Sequence, residues 1–191
     1  MTAPRRGEAE GRARRGYMQR SQRDDWRTPP EVVSVVREAL GGRIGLDPCA
    51  PRDPGHIIAK GNLAGPEGSP ADGLRQTWRG TVFVNPPFSR LKKWAAKCAA
   101  EGAIGAEVIL LLAARTDTVA WHEHIASATL VCLWRGRIRF VGAKWEAPFP
   151  VAFAYWGRRP ALFHAAFAPR GMIVTPSRAA GVSGSGTGDR T

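Results

Sequence analysis

The chain has 191 residues, enough for one domain with a full hydrophobic core, and two cores are not expected. Lysine and arginine number 28 against 16 acidic residues, a formal net charge of +12, which favours a polyanionic partner, with nucleic acid first. Three cysteines without C-x-x-C spacing argue against a disulfide framework and a zinc site, and we predict no metal. No apolar run approaches the roughly 20 residues of a membrane span, so a soluble protein of the reducing cytoplasm is expected.

Both ends of the chain differ in composition from its middle. Residues 1–23 hold seven arginines and two glutamates, a net charge of +5, with almost nothing to bury, so we predict a disordered basic arm. The arm either holds DNA loosely or is a solvated tail without a specific partner. Glycine and serine dominate residues 175–191, which predicts a disordered tail. One domain is therefore expected over residues 24–174.

The ordered part begins with a helix signal. Thr28 precedes two prolines and Glu31, a pattern typical of an N-cap threonine, a helix start at proline and a capping box. Valines and alanine at helical spacing give this segment a broad apolar face as far as about Leu40. Gly41 and Gly42 are expected to end the helix.

Two short buried strands each end in a polar residue followed by proline. The first, over residues 44–47, leads into Asp47-Pro48, and the second, Thr81–Val84, leads into Asn85-Pro86-Pro87-Phe88. Ligands bind at the carboxyl edge of open α/β sheets, so Asp47 and the amide of Asn85 are candidate site residues. The prolines stiffen the second loop and its phenylalanine offers a flat apolar face, although a stiff strand exit without function also fits these four residues.

The chain between these strands reads as an irregular connection. Residues 49–70 are rich in proline and glycine, and loops of this length are usually functional or mobile. A turn then leads into residues 71–78 and presents Asp72 as a second candidate carboxylate.

The later chain repeats the order of strand, loop and helix. Helices are predicted over residues 90–102, through about residue 126 and over residues 160–167, and strands over residues 107–113, 129–134 and 151–156. Arg135, Arg137 and Arg139 alternate with glycine or apolar residues, so at the period of a strand they share one face. The whole pattern predicts an α/β fold with a mostly parallel, doubly wound sheet and an antiparallel finish.

The order of these motifs resembles the S-adenosylmethionine-dependent amino-methyltransferases, and more narrowly the small phage-type DNA adenine methyltransferases. The shared segments are Trp26-x-Thr28-Pro29-Pro30, Leu46-Asp47-Pro48, Asp72-Gly73-Leu74, Asn85-Pro86-Pro87-Phe88 and residues 111–118, 135–140 and 147–150. The resemblance covers roughly residues 24–174. It implies a Rossmann-like class I methyltransferase fold and transfer of a methyl group from S-adenosylmethionine to the N6 amine of adenine in double-stranded DNA. It also implies the cytoplasm of a bacterium or of a phage-infected host cell.

The chemistry of the amine gives the Asn85 loop a role. The lone pair of adenine's exocyclic nitrogen is delocalised into the ring, so an enzyme must hold the N–H bonds with acceptors that favour a more pyramidal nitrogen. Asn85 and the carbonyl of Pro86 are such acceptors, with Pro87 completing the catalytic loop. No strong base is required, because the amine becomes acidic only as the methyl group arrives. The adenine must leave the base stack to react, and Phe88, where many relatives have tyrosine, is expected to stack on it.

The resemblance also implies a cofactor site. Its expected residues are Trp26, Thr28, Pro29, Asp47, Pro48 and Asp72. Asp47 is expected near the methionine end of S-adenosylmethionine and Asp72 near its adenine. Structural alternatives are a core position for Trp26, a helix cap for Thr28 and a turn former for Asp72. The sequence departs from the broad methyltransferase pattern, since no glycine-rich turn follows Asp47 and no acidic residue is identified for the ribose.

The basic residues at later strand ends suggest contacts with DNA. Arg115 and the triplet Arg135, Arg137 and Arg139 are predicted to reach phosphates or base edges, the alternative for the triplet being a solvated face. Cytosine N4 in DNA and a glutamine in a protein are acceptors that fit the same kind of loop, and the basic charge disfavours the protein. A DNA-binding protein of the same fold without turnover is a further alternative.

Removal of residues 1–23 separates the two interpretations of the basic arm. If the arm binds phosphates, its loss is expected to lower DNA affinity and to flatten the dependence of log K on log salt, since fewer counterions are released. Titrations of the full and shortened chains at several salt concentrations measure both quantities. An unchanged salt slope would identify the arm as a solvated tail.

Overall fold

A computed structural model of the chain describes residues 26–51 and 58–177. The predicted basic arm and nearly all of the predicted glycine- and serine-rich tail lie outside these residues, so both stay predictions. The described residues form four α-helices and a seven-stranded sheet. The helices are α1 (Pro30–Ala39), α2 (Leu91–Ala103), α3 (Val119–Glu123) and α4 (Pro160–Phe167). The strands are β1 (Leu46–Asp47), β2 (Gly61–Asn62), β3 (Thr81–Val84), β4 (Glu107–Ala113), β5 (Leu130–Trp134), β6 (Val151–Trp156) and β7 (Gly171–Val174).

The sheet is mixed, with the strand order β2-β1-β3-β4-β6-β5-β7. The first four strands in this order are parallel to one another, whereas β6 is antiparallel to both β4 and β5, and β7 is antiparallel to β5. Five strands, β1 to β5, therefore end at the same side of the sheet, which we call the carboxyl edge. The predicted α/β class is confirmed, and the antiparallel strand β6 lies inside the sheet between β4 and β5.

Helices cover both faces of the sheet. Successive residues of the central strands point to opposite faces and are therefore buried on both sides. Helices α1 and α4 cover one face, where the buried side chains include Val36, Phe83, Ile109, Phe153, Phe163 and Phe167. Helix α2 and the turn Ile125–Ser127 cover the other, where they include Val84, Trp94, Cys98, Leu110, Ile125 and Ala154. This double burial explains why the central strands lack the polar alternation of a half-exposed sheet.

Helix α1 begins as the prolines predict, but the predicted threonine cap is wrong. Pro29 is the N-cap residue and no side chain caps the helix. The hydroxyl of Thr28 instead accepts a hydrogen bond from Nδ2 of Asn85 at 3.0 Å. A contact across 57 positions of sequence has therefore replaced the local bond that the capping pattern predicts.

Two further expectations change in the structure. The connection over residues 49–70 contains strand β2, which pairs in parallel with β1 through only two residues. Strand β5 ends at Trp134, as predicted, but the arginines after it do not continue at the period of a strand, because Gly136 turns the chain with a φ of +85°. Arg137 and Arg139 are exposed and alternate with the buried Ile138 and Phe140, while Arg135 lies before the turn.

Gly73 allows a close approach of two segments at the carboxyl edge. A Cβ atom at this position would lie 1.8 Å from the carbonyl oxygen of Pro48, just after β1. The same glycine's carbonyl accepts a hydrogen bond of 2.9 Å from Nε1 of the buried Trp78. Contact with one backbone and a bond to one core side chain thus fix the turn that carries Asp72.

Gly73→Ala is expected to lower the free energy of unfolding by about 1–3 kcal/mol or more, because backbone atoms must shift to admit the methyl group. Urea unfolding midpoints measure the loss. Gly61→Ala in the neighbouring strand is the matched control, since its Cβ would meet the nearest backbone atom at 3.3 Å, a contact that a small shift relieves. Equal midpoints for both variants would contradict the role of Gly73.

Candidate functional site

A cavity of about 470 Å³ opens at the carboxyl edge, beside the ends of β1, β2 and β3. Seven of the residues singled out in the sequence line it, namely Trp26, Thr28, Asp47, Pro48, Asp72, Asn85 and Pro87. Pro29, Pro86 and Phe88 are adjacent in sequence to lining residues but do not line it themselves. The ends of β1 and β3 thus meet at one cavity, as expected for the carboxyl edge of an α/β sheet, and the segment before α1 and the turn at Asp72 join them there.

Asn85 is held by the segment that precedes α1. Its Nδ2 donates hydrogen bonds to the carbonyl oxygen of Trp26 at 2.5 Å and to Oγ1 of Thr28 at 3.0 Å. A backbone carbonyl can only accept, so the amide nitrogen must face Trp26 and the amide oxygen must point elsewhere. Among residues 26–51 and 58–177, no donor is bonded to Oδ1 of Asn85. Within these residues, the amide therefore has a fixed orientation and an oxygen that accepts no hydrogen bond.

The segment that holds Asn85 is itself fixed by a loop from the far end of the chain. Arg27 forms an isolated antiparallel bridge with Val141, whose N–H donates to the Arg27 carbonyl at 3.0 Å. Trp26 packs beside Phe140, with ring centroids 5.7 Å apart. Three stretches that are distant in sequence thus meet around the side chain of Asn85.

Phe88 lies next to this junction and contacts two aromatic rings. Its ring centroid is 6.2 Å from that of Phe140 and 5.1 Å from that of Phe149, with the second pair nearly perpendicular at 89°. We call Trp26, Phe88, Phe140 and Phe149 the aromatic wall. Sequence reasoning gave no role to Phe140 or Phe149. The sequence did indicate that these two phenylalanines matter, because they lie in the segments 135–140 and 147–150 that carry the family resemblance. The resemblance assigned no contact to either segment.

Asp47 is a buried carboxyl at the end of β1, with 5% of its surface exposed. Burial raises its pKa from an ordinary value of 3.8 to about 6, although the N–H of Cys49 donates to its Oδ1 at 3.1 Å and opposes the change. Burial, together with the nearby Asp47, also raises the pKa of the Cys49 thiol well above its usual range. A cation entering the cavity would favour the ionised carboxylate.

Asp72 is a buried carboxyl whose pKa is shifted the other way. Desolvation would raise that pKa, but the N–H groups of Gly68 and Leu74 donate to its two oxygens at 2.8 and 3.0 Å, and the net effect is a lowered pKa. Asp72 is therefore the turn former that its sequence suggests and also a wall of the cavity. The lowered pKa favours the ionised form of Asp72, whereas the raised pKa of Asp47 favours its neutral form.

Charged residues that the sequence reasoning missed border the cavity. Arg90, from the turn after the Asn85 loop, forms an ion pair of 2.9 Å with Glu67, which also pairs with Lys93 at 3.1 Å. Both Arg90 and Glu67 line the cavity. The ion pairs join the connection after β2 to the start of α2, a contact for which neither segment shows a signal in sequence.

The four arginines predicted to bind DNA are exposed and lie outside the cavity. Arg115 follows β4, and Arg135 follows β5, where its guanidinium donates to the carbonyl of Pro169 at 3.3 Å. In the described part of the chain, no group of three or more His, Cys, Asp or Glu side chains is arranged to hold a metal ion. No helix within those residues has the length and apolar character needed to cross a membrane.

Comparison with known proteins gives one match. A family model described as DNA N-6-adenine-methyltransferase (Dam) matches residues 16–155. The match includes every residue that lines the cavity and ends within β6. No curated protein and no solved structure matches the chain.

Asp47→Asn is expected to raise the free energy of unfolding at pH 7.5 by up to about 3 kcal/mol, at about 1.4 kcal/mol per pKa unit. The folded state holds the Asp47 proton more tightly than the unfolded chain does. The contribution of Asp47 to stability therefore falls as pH rises from the ordinary pKa of 3.8 to about 6, and it falls no further above that pH.

Urea unfolding of both proteins between pH 3.5 and 8 measures this difference. The two curves are expected to meet near pH 3.5 and to separate by pH 7. Asp117→Asn is the control, because Asp117 is exposed. If the free energies of unfolding of wild type and Asp47→Asn changed in parallel with pH, the raised pKa of Asp47 would be contradicted.

Proposed function

The chain belongs to the DNA N-6-adenine-methyltransferase family, and we propose that it transfers a methyl group from S-adenosylmethionine to the N6 amine of an adenine turned out of duplex DNA. The observation that carries this proposal is the orientation of Asn85. Its amide nitrogen is engaged by Trp26 and Thr28, which leaves the oxygen as an acceptor beside the cavity. An acceptor, not a donor, is what an amine with two N–H bonds requires.

The acceptor amine is proposed to bind between two oxygens. Oδ1 of Asn85 and the carbonyl of Pro86 each accept one N–H bond, which favours a pyramidal nitrogen whose lone pair is available for reaction. The stiff Pro86-Pro87 backbone keeps the two acceptors in place, because each proline ring fixes its φ. The proton leaves only as the nitrogen gains its new bond, so a neutral amide is sufficient.

The cavity is the proposed site for S-adenosylmethionine, and its residues fit that molecule. The volume of about 470 Å³ lies within the range of small-molecule sites. The cofactor is cationic, and Asp47 and Asp72 bring two buried carboxyls to it. Asp47 is proposed to hold the methionine end and Asp72 the adenine, with Trp26, Thr28, Pro29 and Pro48 completing the site. The bound cofactor supplies a methyl group on a sulfonium sulfur, which is a good leaving group.

The aromatic wall is the proposed support for the extruded base. Phe88 is half-buried and is held by Phe140 and Phe149, so stacking an adenine on it orders no free side chain. Stacking on one aromatic ring is worth about 1–3 kcal/mol. Arg115, Arg137 and Arg139 are exposed and are proposed to contact the DNA backbone, while Arg135 is partly occupied by Pro169.

The finer description of the fold is also a proposal. Parallel strands with an antiparallel β6 inserted between β4 and β5 support a Rossmann-like class I methyltransferase sheet. We further propose residues 24–174 as the folded domain, flanked by the basic arm and the tail.

Asn85→Ala is expected to lower methyl transfer by roughly 10²-fold or more, by analogy with the loss of one preorganised polar contact in an active site. The affinity for S-adenosylmethionine is expected to change little. Thr28→Val should give an intermediate loss, because it removes one of the two acceptors that orient the amide. Thr77→Val is its matched control, since Thr77 is exposed and does not line the cavity.

The assay uses labelled S-adenosylmethionine and plasmid DNA, with digestion to nucleosides and calorimetry for cofactor binding. Label in methyladenine supports the proposal. Label in methylcytosine, or none with the wild-type protein, would replace it with N4 methylation or with DNA binding alone. Undiminished transfer by Asn85→Ala would remove that residue from the mechanism.

A further inference from the structure

One large apolar side chain near the aromatic wall is left in solvent. Trp145 is 74% exposed, the highest value among the large hydrophobic residues described. It lies in the loop between Ile138 and Ala147, which the hydrogen bond from the Ala147 N–H to the Ile138 carbonyl closes at 2.8 Å. We call this segment the Trp145 loop. An indole that is mostly exposed keeps most of its water on folding, so its apolar surface contributes little to the stability of the domain.

The Trp145 loop is anchored to the proposed base site at both ends. Phe140 lies near its start and Phe149 just after its end, and both rings contact Phe88. The bridge from Val141 to Arg27 fixes the loop to the segment that holds Asn85. The position of the loop is therefore set by the same contacts that set the positions of Asn85 and Phe88.

The charge around Trp145 matches a polyanion. Nζ of Lys144 lies 5.3 Å from the centroid of the indole ring, and Arg137 and Arg139 are exposed earlier in the same stretch. Glu146 is an exposed acidic neighbour, so residues 135–148 hold four basic side chains and one acidic side chain. A flat apolar ring beside a cation, in a stretch rich in basic residues, is the combination that proteins use to stack on nucleic-acid bases.

A closed duplex offers no base face to such a ring. Its surface presents phosphates, sugars and base edges, and the base faces are covered by their neighbours in the stack. They become accessible only where the stack is opened, which happens where a base has been extruded. An indole that binds DNA by stacking therefore gains its contact in the same event that brings adenine to Phe88.

From these contacts we infer that Trp145 inserts into the opened base stack at the target step and stabilises the duplex from which the adenine has left. This inference rests on the proposed function and adds a residue that acts on the DNA outside the reacting centre. Trp145 is a positioning residue, since it contacts neither the amine nor the cofactor. Trp145 therefore affects methylation only of DNA whose base stack must be opened to release the adenine.

The experiment begins with the wild-type protein. Sequencing of plasmid DNA after methylation locates the modified adenines, and a duplex is made with 2-aminopurine at one such position. Fluorescence of this base rises when it leaves the stack. The rise is measured with wild type, Trp145→Ala and Trp145→Phe, and methyl transfer to the matching adenine duplex is measured beside it.

Trp145→Ala is expected to lose most of the fluorescence rise and to lower transfer by about fivefold to 150-fold, the range for one lost stacking contact. Trp145→Phe is expected to keep most of both. A second duplex, with a mismatch at the target base, opens more easily and should reduce the deficit of Trp145→Ala. Ile104→Ala is the matched control, because Ile104 is 71% exposed but precedes β4 at the opposite edge of the sheet.

Two outcomes would overturn the inference while leaving the proposed function intact. One is wild-type fluorescence and transfer in Trp145→Ala. The other is an equal deficit on paired and mismatched duplexes, which would indicate general DNA affinity and not support of an opened stack. Absence of methyladenine with the wild-type protein would instead remove the proposed function, so the two failures are distinguishable.

Discussion

The hydrogen bond from the Asn85 amide to the Trp26 carbonyl is the contact on which the site depends. It joins the carboxyl end of β3 to a segment 59 residues earlier. A second hydrogen bond, from the same amide nitrogen to Thr28, connects the same two segments. Because the carbonyl has no proton to give, this bond requires the amide nitrogen to face Trp26 and the amide oxygen to point away from it. Strand β3 determines where the asparagine lies, but only the segment before α1 determines which atom it presents.

The two buried carboxyls that line the cavity differ in how readily they ionise. Asp72 receives two backbone N–H groups and keeps its charge with their help, whereas Asp47 receives one and is neutral below about pH 6 in the free protein. Asp72 is charged before a ligand binds, whereas a cationic group beside Asp47 would favour the ionised form of that carboxyl. Binding of a cationic ligand below pH 6 would therefore release a proton from Asp47. The affinity for that ligand would decrease as the pH is lowered in this range.

Sequence reasoning succeeded where one segment carries its own signal. The buried strands, the amphipathic helix α2 and the polar residues at the ends of β1 and β3 follow from local composition, and their meeting at one edge follows from the parallel sheet. It failed where a tertiary contact replaced a local one. Thr28 has the pattern of a cap but bonds to Asn85, and Gly136 turns the chain among three arginines whose alternation predicts one shared face. The contacts of Phe140 with Trp26 and Phe88 join three distant segments, so no single window of sequence could indicate them.

The bridge between Arg27 and Val141 has a consequence for how the site is lost on heating. The segment over residues 26–28 is held by this isolated bridge and by side-chain contacts, not by a place in the sheet. Its detachment would free the Asn85 amide to rotate while β3 and β4 stayed paired. The Asn85 amide therefore keeps its orientation only while the segment over residues 26–28 stays bound. Local unfolding of this segment on heating can inactivate the protein before the domain unfolds cooperatively.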